Sequence, residues 1–319
     1  VLLSFVIPVL NEAESIPLLI PEIISNVNGH DYQIIIVDDG STDDSFTVLA
    51  SFAAKDSKIQ VIRFRRNFGK AAALQTGFRY AKGDIIFTMD ADLQDNPAEI
   101  SSFVEKYQQG YDLVSGWKKK RFDPWHKTLP SKLFNYVTAK SFRLKLRDYN
   151  CGFKAYTPAL IKELNLYGEM HRYIPALAHS LGYRIAEIPV QHRARQHGKS
   201  KYGIERYLRG FFDLLTVKMV TQYSKSPLYL FGRIGLSAMT MGFLITLYLT
   251  FLKVFFHQPL YNRPLLFLGI LLILSGLQFF SMGLLSELMI NRTSQRNHTM
   301  ISIRDYLNVE KKDERDLQA

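Results

Sequence analysis

Two apolar runs near the C-terminus decide where this chain can fold. Leu228 to Leu252 carries one charge, Arg233, and Pro264 to Ile290 carries one, Glu287. At about 1.5 Å of rise per residue, a helix of about 25 residues reaches roughly 37 Å, more than the roughly 30 Å of bilayer hydrocarbon. A helix on the surface of a soluble core keeps a polar face over such a length. These runs keep none, and they read as two transmembrane helices. Arg233 stands close enough to one end to snorkel to the headgroups. The connection Lys253–Arg263 is weakly charged. The flanks are basic: Arg206, Arg209, Lys218 and Lys225 before the first span, and Arg292, Arg296 and Arg304 after the second. The positive-inside rule then predicts both termini in the cytoplasm and the short loop outside.

The rest of the chain reads as a soluble α/β domain. Apolar runs at Leu2–Val9, Gln33–Val37, Ile59–Phe64 and Asp84–Met89 predict strands. Helical spacing between them predicts helices over Glu14–Val27, Asp44–Lys55 and Gly69–Ala81. Strands alternating with helices across short loops predict a mostly parallel sheet covered on both faces. The expected organisation is a catalytic domain over 1–203, an amphipathic interfacial region over 204–226, two spans over 227–290 and a tail over 291–319. The single cysteine, Cys151, excludes an intrachain disulfide framework and a Cys-rich zinc site. Val1 to Glu12 reads as a buried strand, with neither the basic start nor the cleavage site of a secretory leader.

Ligands of parallel sheets bind at the carboxyl ends of the strands. Three predicted strands end there in polar or acidic loops: Asn11-Glu12, Asp38-Asp39 and Asp90-Ala91-Asp92. Two carboxylates one residue apart can face one ion, and hard oxygen donors suit Mg²⁺ or Mn²⁺ shared with substrate phosphates. The second pair, Asp38 and Asp39, can accept hydrogen bonds from a ribose or a base. Neither a Gly-x-Gly-x-x-Gly after the first strand nor a P-loop is present, which argues against a dinucleotide fold and a P-loop NTPase.

Positive charge is concentrated. Of a formal net +11, the segment Trp117–Lys154 holds eleven Lys and Arg against two Asp. Nucleic acid is one reading of such a patch. Interleaved apolar residues (Leu133, Phe134, Val137, Phe142) and the membrane anchor oppose it; a basic segment beside a bilayer attracts anionic headgroups and equally suits a lipid phosphate. Tyr207–Tyr223 is apolar with scattered charge and predicts a helix lying in the interface or packed on the domain.

Phe5-Val6-Ile7-Pro8-Val9-Leu10-Asn11-Glu12, Val37-Asp38-Asp39-Gly40-Ser41-Thr42-Asp43, Asp90-Ala91-Asp92-Leu93-Gln94 and Cys151-Gly152-Phe153-Lys154 resemble the motifs of family 2 inverting glycosyltransferases with the GT-A fold. More closely, the chain resembles the polyprenyl-phosphate glycosyltransferases related to dolichyl-phosphate mannose synthase, and the two-span subgroup of bactoprenol glucosyltransferases. Gly198-Lys199-Ser200-Lys201-Tyr202 after Arg195 is similar to that group's acceptor loop. The resemblance implies a nucleotide-sugar site at Pro8, Leu10, Asn11, Glu12, Asp38, Asp39, Lys70, Asp90, Ala91 and Asp92. It implies a metal at Asp90, Asp92 and Gln94, and a lipid-phosphate site at Arg121, Lys132, Arg195, Ser200, Lys201 and Tyr202. Asp148 would border the reacting sugar, as a third catalytic residue beside Asp90 and Asp92. The processive Gln-x-x-Arg-Trp motif is missing, which disfavours polymer synthesis.

The function implied is Mg²⁺- or Mn²⁺-dependent transfer of a hexose, glucose from UDP-glucose first, to a polyprenyl phosphate. GDP-mannose, UDP-N-acetylglucosamine and an amino-arabinose nucleotide are alternative donors, and a membrane scaffold with a degenerate fold is the non-enzymatic alternative. The expected partners are a nucleotide sugar, a polyprenyl phosphate, the membrane and a second copy of the chain in a homo-oligomer, with no nucleic acid.

Overall fold

The computed structural model describes residues 1–118, 138–139, 142, 144–191, 193, 216–219, 226–257, 259, 263–293 and 303–308. Eight strands form one sheet in it. In chain order the elements are β1 (Leu2–Val9), α1 (Ile16–Ser25), β2 (Asp31–Asp38), α2 (Ser45–Lys55), β3 (Ile59–Phe64), α3 (Lys70–Tyr80), β4 (Ile85–Thr88), α4 (Ile100–Gln108), β5 (Leu113–Lys118), β6 (Lys154–Tyr156), α5 (Pro158–Glu163), α6 (Ile174–Ser180), β7 (Ile185–Val190), α7 (Leu228–Phe256), α8 (Pro264–Thr293) and β8 (Ile303–Leu307). The strand order is β7-β5-β6-β4-β1-β2-β3-β8. β1 pairs in parallel with both β2 and β4, β2 with β3, and β5 with β7. Only β6 and β8 run antiparallel.

The strands are apolar on both sides because both sides are covered. Phe5, Ile7, Ile34 and Ile36 face one core cluster, while Val6, Ile35 and Val37 face the other. In α1 the stripe Ile16, Leu19, Ile20 and Ile23 is buried. Such a stripe at i, i+3, i+4, i+7 docks a helix on a sheet. The chain moves outward from β1 in two directions, to β2 and β3 and then to β4. The carboxyl end of β1 is therefore the topological switch point, where a parallel sheet opens a crevice.

The first four strands and three helices lie where the periodicity predicted them, with ends shifted by a few residues. The tail differs. Its short run Ile303–Leu307 forms the edge strand beside β3, with Ile62 opposite Tyr306. Asn308 follows, donating to the carbonyls of Ala53 and Ile59. An edge strand needs only one neighbour and a few residues, so it leaves no periodic signal of its own. Val217, inside the segment read as an interfacial helix, is buried in the second core cluster. The rest of 207–223, apart from 216–219, lies outside the described residues.

Residues Lys218–His298 form a separate unit, built on α7 and α8. Both helices are long and apolar enough to cross a membrane, and only 11% of each apolar window is buried. That exposure argues against the buried core helices of a large soluble domain and supports an integral membrane protein. Glycines on the two helices meet: a Cβ on Gly235 would lie 2.6 Å from the Gly276 carbonyl oxygen, and one on Gly242 would lie 2.6 Å from that of Gly269. Small residues let the two backbones approach, as membrane helix pairs require. Glu287 accepts a hydrogen bond from the Leu228 N–H at 3.2 Å. The one acid of the span region thus satisfies an open donor at the start of α7.

Candidate active site

At the switch point the ends of β1 and β2 are laced together. Asp39 N–H donates to the Val9 carbonyl at 2.8 Å. Asn11, at φ 55°, accepts from Thr42 N–H at 2.8 Å and donates its own N–H to the Ser41 hydroxyl at 2.9 Å. Glu12 N–H donates to the Ser45 hydroxyl at 2.9 Å. Asp38 accepts from Ser41 N–H at 2.8 Å and pairs with Arg63 at 3.4 Å. Asp39 accepts from Phe68 N–H at 2.6 Å and Gly69 N–H at 3.0 Å. Burial pushes its carboxyl up to about 6 against those two donors. Gly40 turns the loop at φ 73°, and a Cβ there would meet the Arg66 backbone at 2.5 Å, so the position takes glycine alone. The structure thus brings Pro8, Leu10, Asn11, Glu12, Asp38 and Asp39 together at the carboxyl ends of β1 and β2.

The end of β4 supplies the charge. The Asp90 carboxylate pairs with the Lys70 ammonium from the first turn of α3. Burial opposes ionisation of Asp90, but Lys70 outweighs it and holds the group at about 2. Asp92 is buried, and its carboxylate accepts from Gln94 N–H at 3.3 Å. Leu93 between them sits at φ 61°, where non-glycine residues are uncommon. Asp95 is buried 4.0 Å from Lys118 and accepts from the Asp90 N–H at 3.3 Å. Burial raises its carboxyl to about 6; Lys118 opposes the rise, and Asp90 and Asp92 add to it.

Three carboxylates therefore crowd one loop opposite two ammonium groups. Among the described residues no three His, Cys, Asp or Glu side chains converge as a closed metal cage. Mg²⁺ and Mn²⁺ do not need one. They take one or two carboxylates and complete their shell with water and substrate phosphate. The hard oxygens of Asp90 and Asp92, with surplus negative charge from Asp95, fit such an ion.

The sequence brings in Gly152 and Lys154 only as part of a motif and does not mark His171 or Arg193 as candidate site residues. Gly152 lies directly on Asp90: a Cβ there would come within 2.7 Å of the carboxylate carbon and both its oxygens. The Gly152 carbonyl accepts from the Thr88 hydroxyl at 2.7 Å. Below Asp90 a small cavity is lined by Lys70, Asn150, Lys154, Tyr156 and His171, among others. Lys154 is buried and donates to the Cys151 carbonyl, and burial pulls its ammonium below the usual lysine range. His171 is held well below the usual imidazole value by burial and by Lys70, so it is neutral.

Arg193 anchors the whole loop. Its guanidinium donates to Glu22 at 2.7 Å and Asn96 at 2.6 Å, and its N–H to the Gln94 carbonyl at 3.0 Å. No local pattern announces these contacts, since they join segments 97 and 171 residues apart.

Asp148 faces Lys118 and Lys154, two cations that also face Asp90. It is buried, accepts from Asn150 N–H at 3.1 Å, and donates its own N–H to Glu187 at 3.1 Å. Arg121, Lys132, Arg195, Ser200, Lys201 and Tyr202, expected at the acceptor phosphate, lie outside the described residues.

Residues 4–164 match the family described as "Glycosyl transferase family 2". The chain is 38% identical over 302 residues to dodecaprenyl-phosphate galacturonate synthase of Rhizobium johnstonii, covering 92% of this chain and 89% of that one. It is 36% identical over 288 residues to undecaprenyl-phosphate 4-deoxy-4-formamido-L-arabinose transferase of Pseudomonas fluorescens, covering 89% and 83%. Among solved structures, glucosyl-3-phosphoglycerate synthase of Mycobacterium tuberculosis, in complex with Mn²⁺ and UDP-glucose, superposes with a TM-score of 0.55. That match is 21% identical and covers 70% of this chain and 81% of that one. At that identity the likeness supports the fold, and it agrees with the mostly parallel sheet.

Proposed function

Since this chain belongs to glycosyl transferase family 2 and is a glycosyltransferase, we propose that it moves one sugar from a nucleoside diphosphate donor to a polyprenyl phosphate. The observation that carries the donor half is the carboxylate loop Asp90–Asp92 beside the Asn11–Asp39 crevice at the switch point. The acceptor half is supported by two apolar helices and by relatives that bear prenyl phosphates in their names. Those relatives handle galacturonate and 4-deoxy-4-formamido-arabinose. Glucose therefore gives way as the first donor to a uronate or an arabinose of the amino-sugar type.

The crevice residues Asn11, Glu12, Asp38 and Asp39 would hold base and ribose. Asp90, Asp92 and Gln94 would hold a divalent ion with the donor diphosphate, and that ion, when bound, supplies charge neutralisation at the leaving group. Lys70 holds Asp90 ionised and aimed. The incoming nucleophile is a phosphate monoester with a second pKa of about 6, so it is largely dianionic at neutral pH. No residue has to remove a proton from it. The bond from the anomeric carbon to the donor diphosphate breaks, and a bond to the acceptor phosphate oxygen forms from the opposite face. The nucleoside diphosphate leaves with the electron pair, and the configuration inverts. What the protein supplies is orientation of two anions that repel each other.

Two crossings would return the chain to the side it left, in keeping with the pairing of β8 with β3. We place the catalytic domain and tail together on the cytoplasmic side, where nucleotide sugars are made. A panel of nucleotide sugars tested with undecaprenyl phosphate decides the reading. Release of nucleoside diphosphate that depends on the lipid, giving an acid-labile lipid-linked sugar, is expected. Release that ignores the lipid would refute it.

A further inference from the structure

We propose that the groove at the carboxyl ends of β5 and β7 seats the phosphate and first isoprene units of the acceptor, an assignment that rests on the polyprenyl-phosphate reading above. Trp117, Lys145, Leu146, Arg147, Glu187 and Pro189 line an open volume of about 610 Å³. Small-molecule sites fall in roughly the 300–1,000 Å³ range.

The chemistry of its wall is two-sided. Trp117, Leu146 and Pro189 offer apolar surface, while Lys145 and Arg147 offer exposed cations. The Arg147 guanidinium lies 4.5 Å over the Trp117 ring, which holds that charge at the wall. Glu187 is the acid among these residues, and it is engaged. Its oxygens accept the Arg147 N–H at 2.8 and 3.0 Å and the Asp148 N–H at 3.1 Å. It clamps the turn, and the lining carries two cations to this one carboxylate. A ligand with a dianionic head and a hydrocarbon body matches such a wall; a nucleotide has no hydrocarbon body to place there.

Neighbouring stretches of one segment line the groove and the cavity beneath Asp90. Lys145–Arg147 line the groove, Asp148 follows, and Asn150–Gly152 line the cavity. β5 and β4 are separated by β6 alone. Thr88 of β4 and Ser115 of β5 both pair with Lys154, so at about 4.8 Å between neighbours these two residues stand roughly 10 Å apart. One sugar ring with its phosphate bridges that distance.

The test uses the full chain in detergent with the donor that the panel selects, farnesyl phosphate as acceptor and inorganic phosphate as competitor. Lys145→Glu reverses an exposed charge and should raise the KM for farnesyl phosphate at least tenfold and weaken inhibition by inorganic phosphate. Trp117→Ala removes both apolar wall and the ring under Arg147, and it should raise the farnesyl phosphate KM and weaken inhibition by inorganic phosphate as well. The Kd for UDP should stay within twofold in both variants. An unchanged farnesyl phosphate KM in folded Lys145→Glu and Trp117→Ala overturns the groove while leaving the acceptor reading intact. A UDP Kd that rises in step with the KM also overturns it, since the groove would then serve the donor. If the unaltered chain releases no nucleoside diphosphate with any prenyl phosphate, the acceptor reading falls and the groove with it.

Discussion

Replacing Gly152 by alanine separates catalysis from stability at one atom. The added Cβ would stand 2.7 Å from the carboxylate carbon and both oxygens of Asp90, where ordinary contact begins at 3.4 Å. The carboxylate must therefore retreat by about 0.7 Å. The obstructing group is the end of a side chain, so the fold yields at little cost, and melting should shift by no more than a few degrees, the response of a small domain to about 1 kcal/mol. The Asp90 position relative to Lys70 and the donor diphosphate is what changes. Misplacement of about 1 Å can cost about a hundredfold in rate. Gly152→Ala should lower kcat by ten- to a hundredfold, measured as nucleoside diphosphate release at saturating donor and lipid, with melting followed in parallel. Activity within twofold of the unaltered chain would refute the placement of Asp90 at the reacting centre. Loss of activity together with loss of the folded state would refute the claim that the carboxylate alone moves.

Three other perturbations read other parts of the structure. Arg193→Gln frees Glu22 and Asn96 from the guanidinium, and a support of this kind typically holds about ten- to a hundredfold in metal affinity. The Mn²⁺ concentration for half-maximal UDP binding should rise accordingly, and an unchanged Mn²⁺ titration would count against the anchoring role. Asp39 titrates at about 6 in the fold against 3.8 ordinarily. The folded state holds that proton more tightly, so the contribution is full below pH 3.8 and is lost as pH rises through 6. Roughly two units correspond to about 3 kcal/mol at most. Melting temperature in Asp39→Asn should respond less to pH between 4 and 6.5 than in the unaltered chain, and parallel curves would show that Asp39 is not the titrating group. Gly276→Leu drives a side chain against the Gly235 carbonyl, 2.5 Å from the new Cβ. Overpacking of this kind costs about 1–3 kcal/mol; the helix pair should lose thermal resistance in detergent, and an unchanged melt would contradict the close crossing.

Local signals carried the first half of the fold. Each of β1 to β4 is an apolar run that stops at a polar or acidic loop, and a parallel sheet gathers those stops at one edge. Asn11, Asp38, Asp39, Asp90 and Asp92 could therefore be named together before any coordinates. Beyond Asp92 the signal fades. β6 is three residues long and β8 five, too short for periodicity, and each forms only because a longer strand offers it an edge. Truncation after residue 203, which would isolate a domain if 291–319 were only a tail, also removes β8 from the sheet. Arg193 and His171 reach the candidate site from distant segments, and their contacts exist only in three dimensions. The glycine spacing was legible but unused. Gly269, Gly276 and Gly283 recur every seven residues, as do Gly235 and Gly242. A seven-residue repeat keeps one seam of a helix facing its partner, and that seam is where α7 and α8 touch.

Calorimetric binding of UDP to the full chain and to Asp92→Asn, each with Mn²⁺ and with EDTA, tests the central claim most directly. UDP should bind the unaltered chain at least tenfold more tightly with Mn²⁺ than with EDTA, and Asp92→Asn should lose most of that difference. Equal UDP affinity in EDTA and Mn²⁺, or an Asp92→Asn variant that keeps the full metal effect, would contradict a donor diphosphate held through the carboxylates at the end of β4.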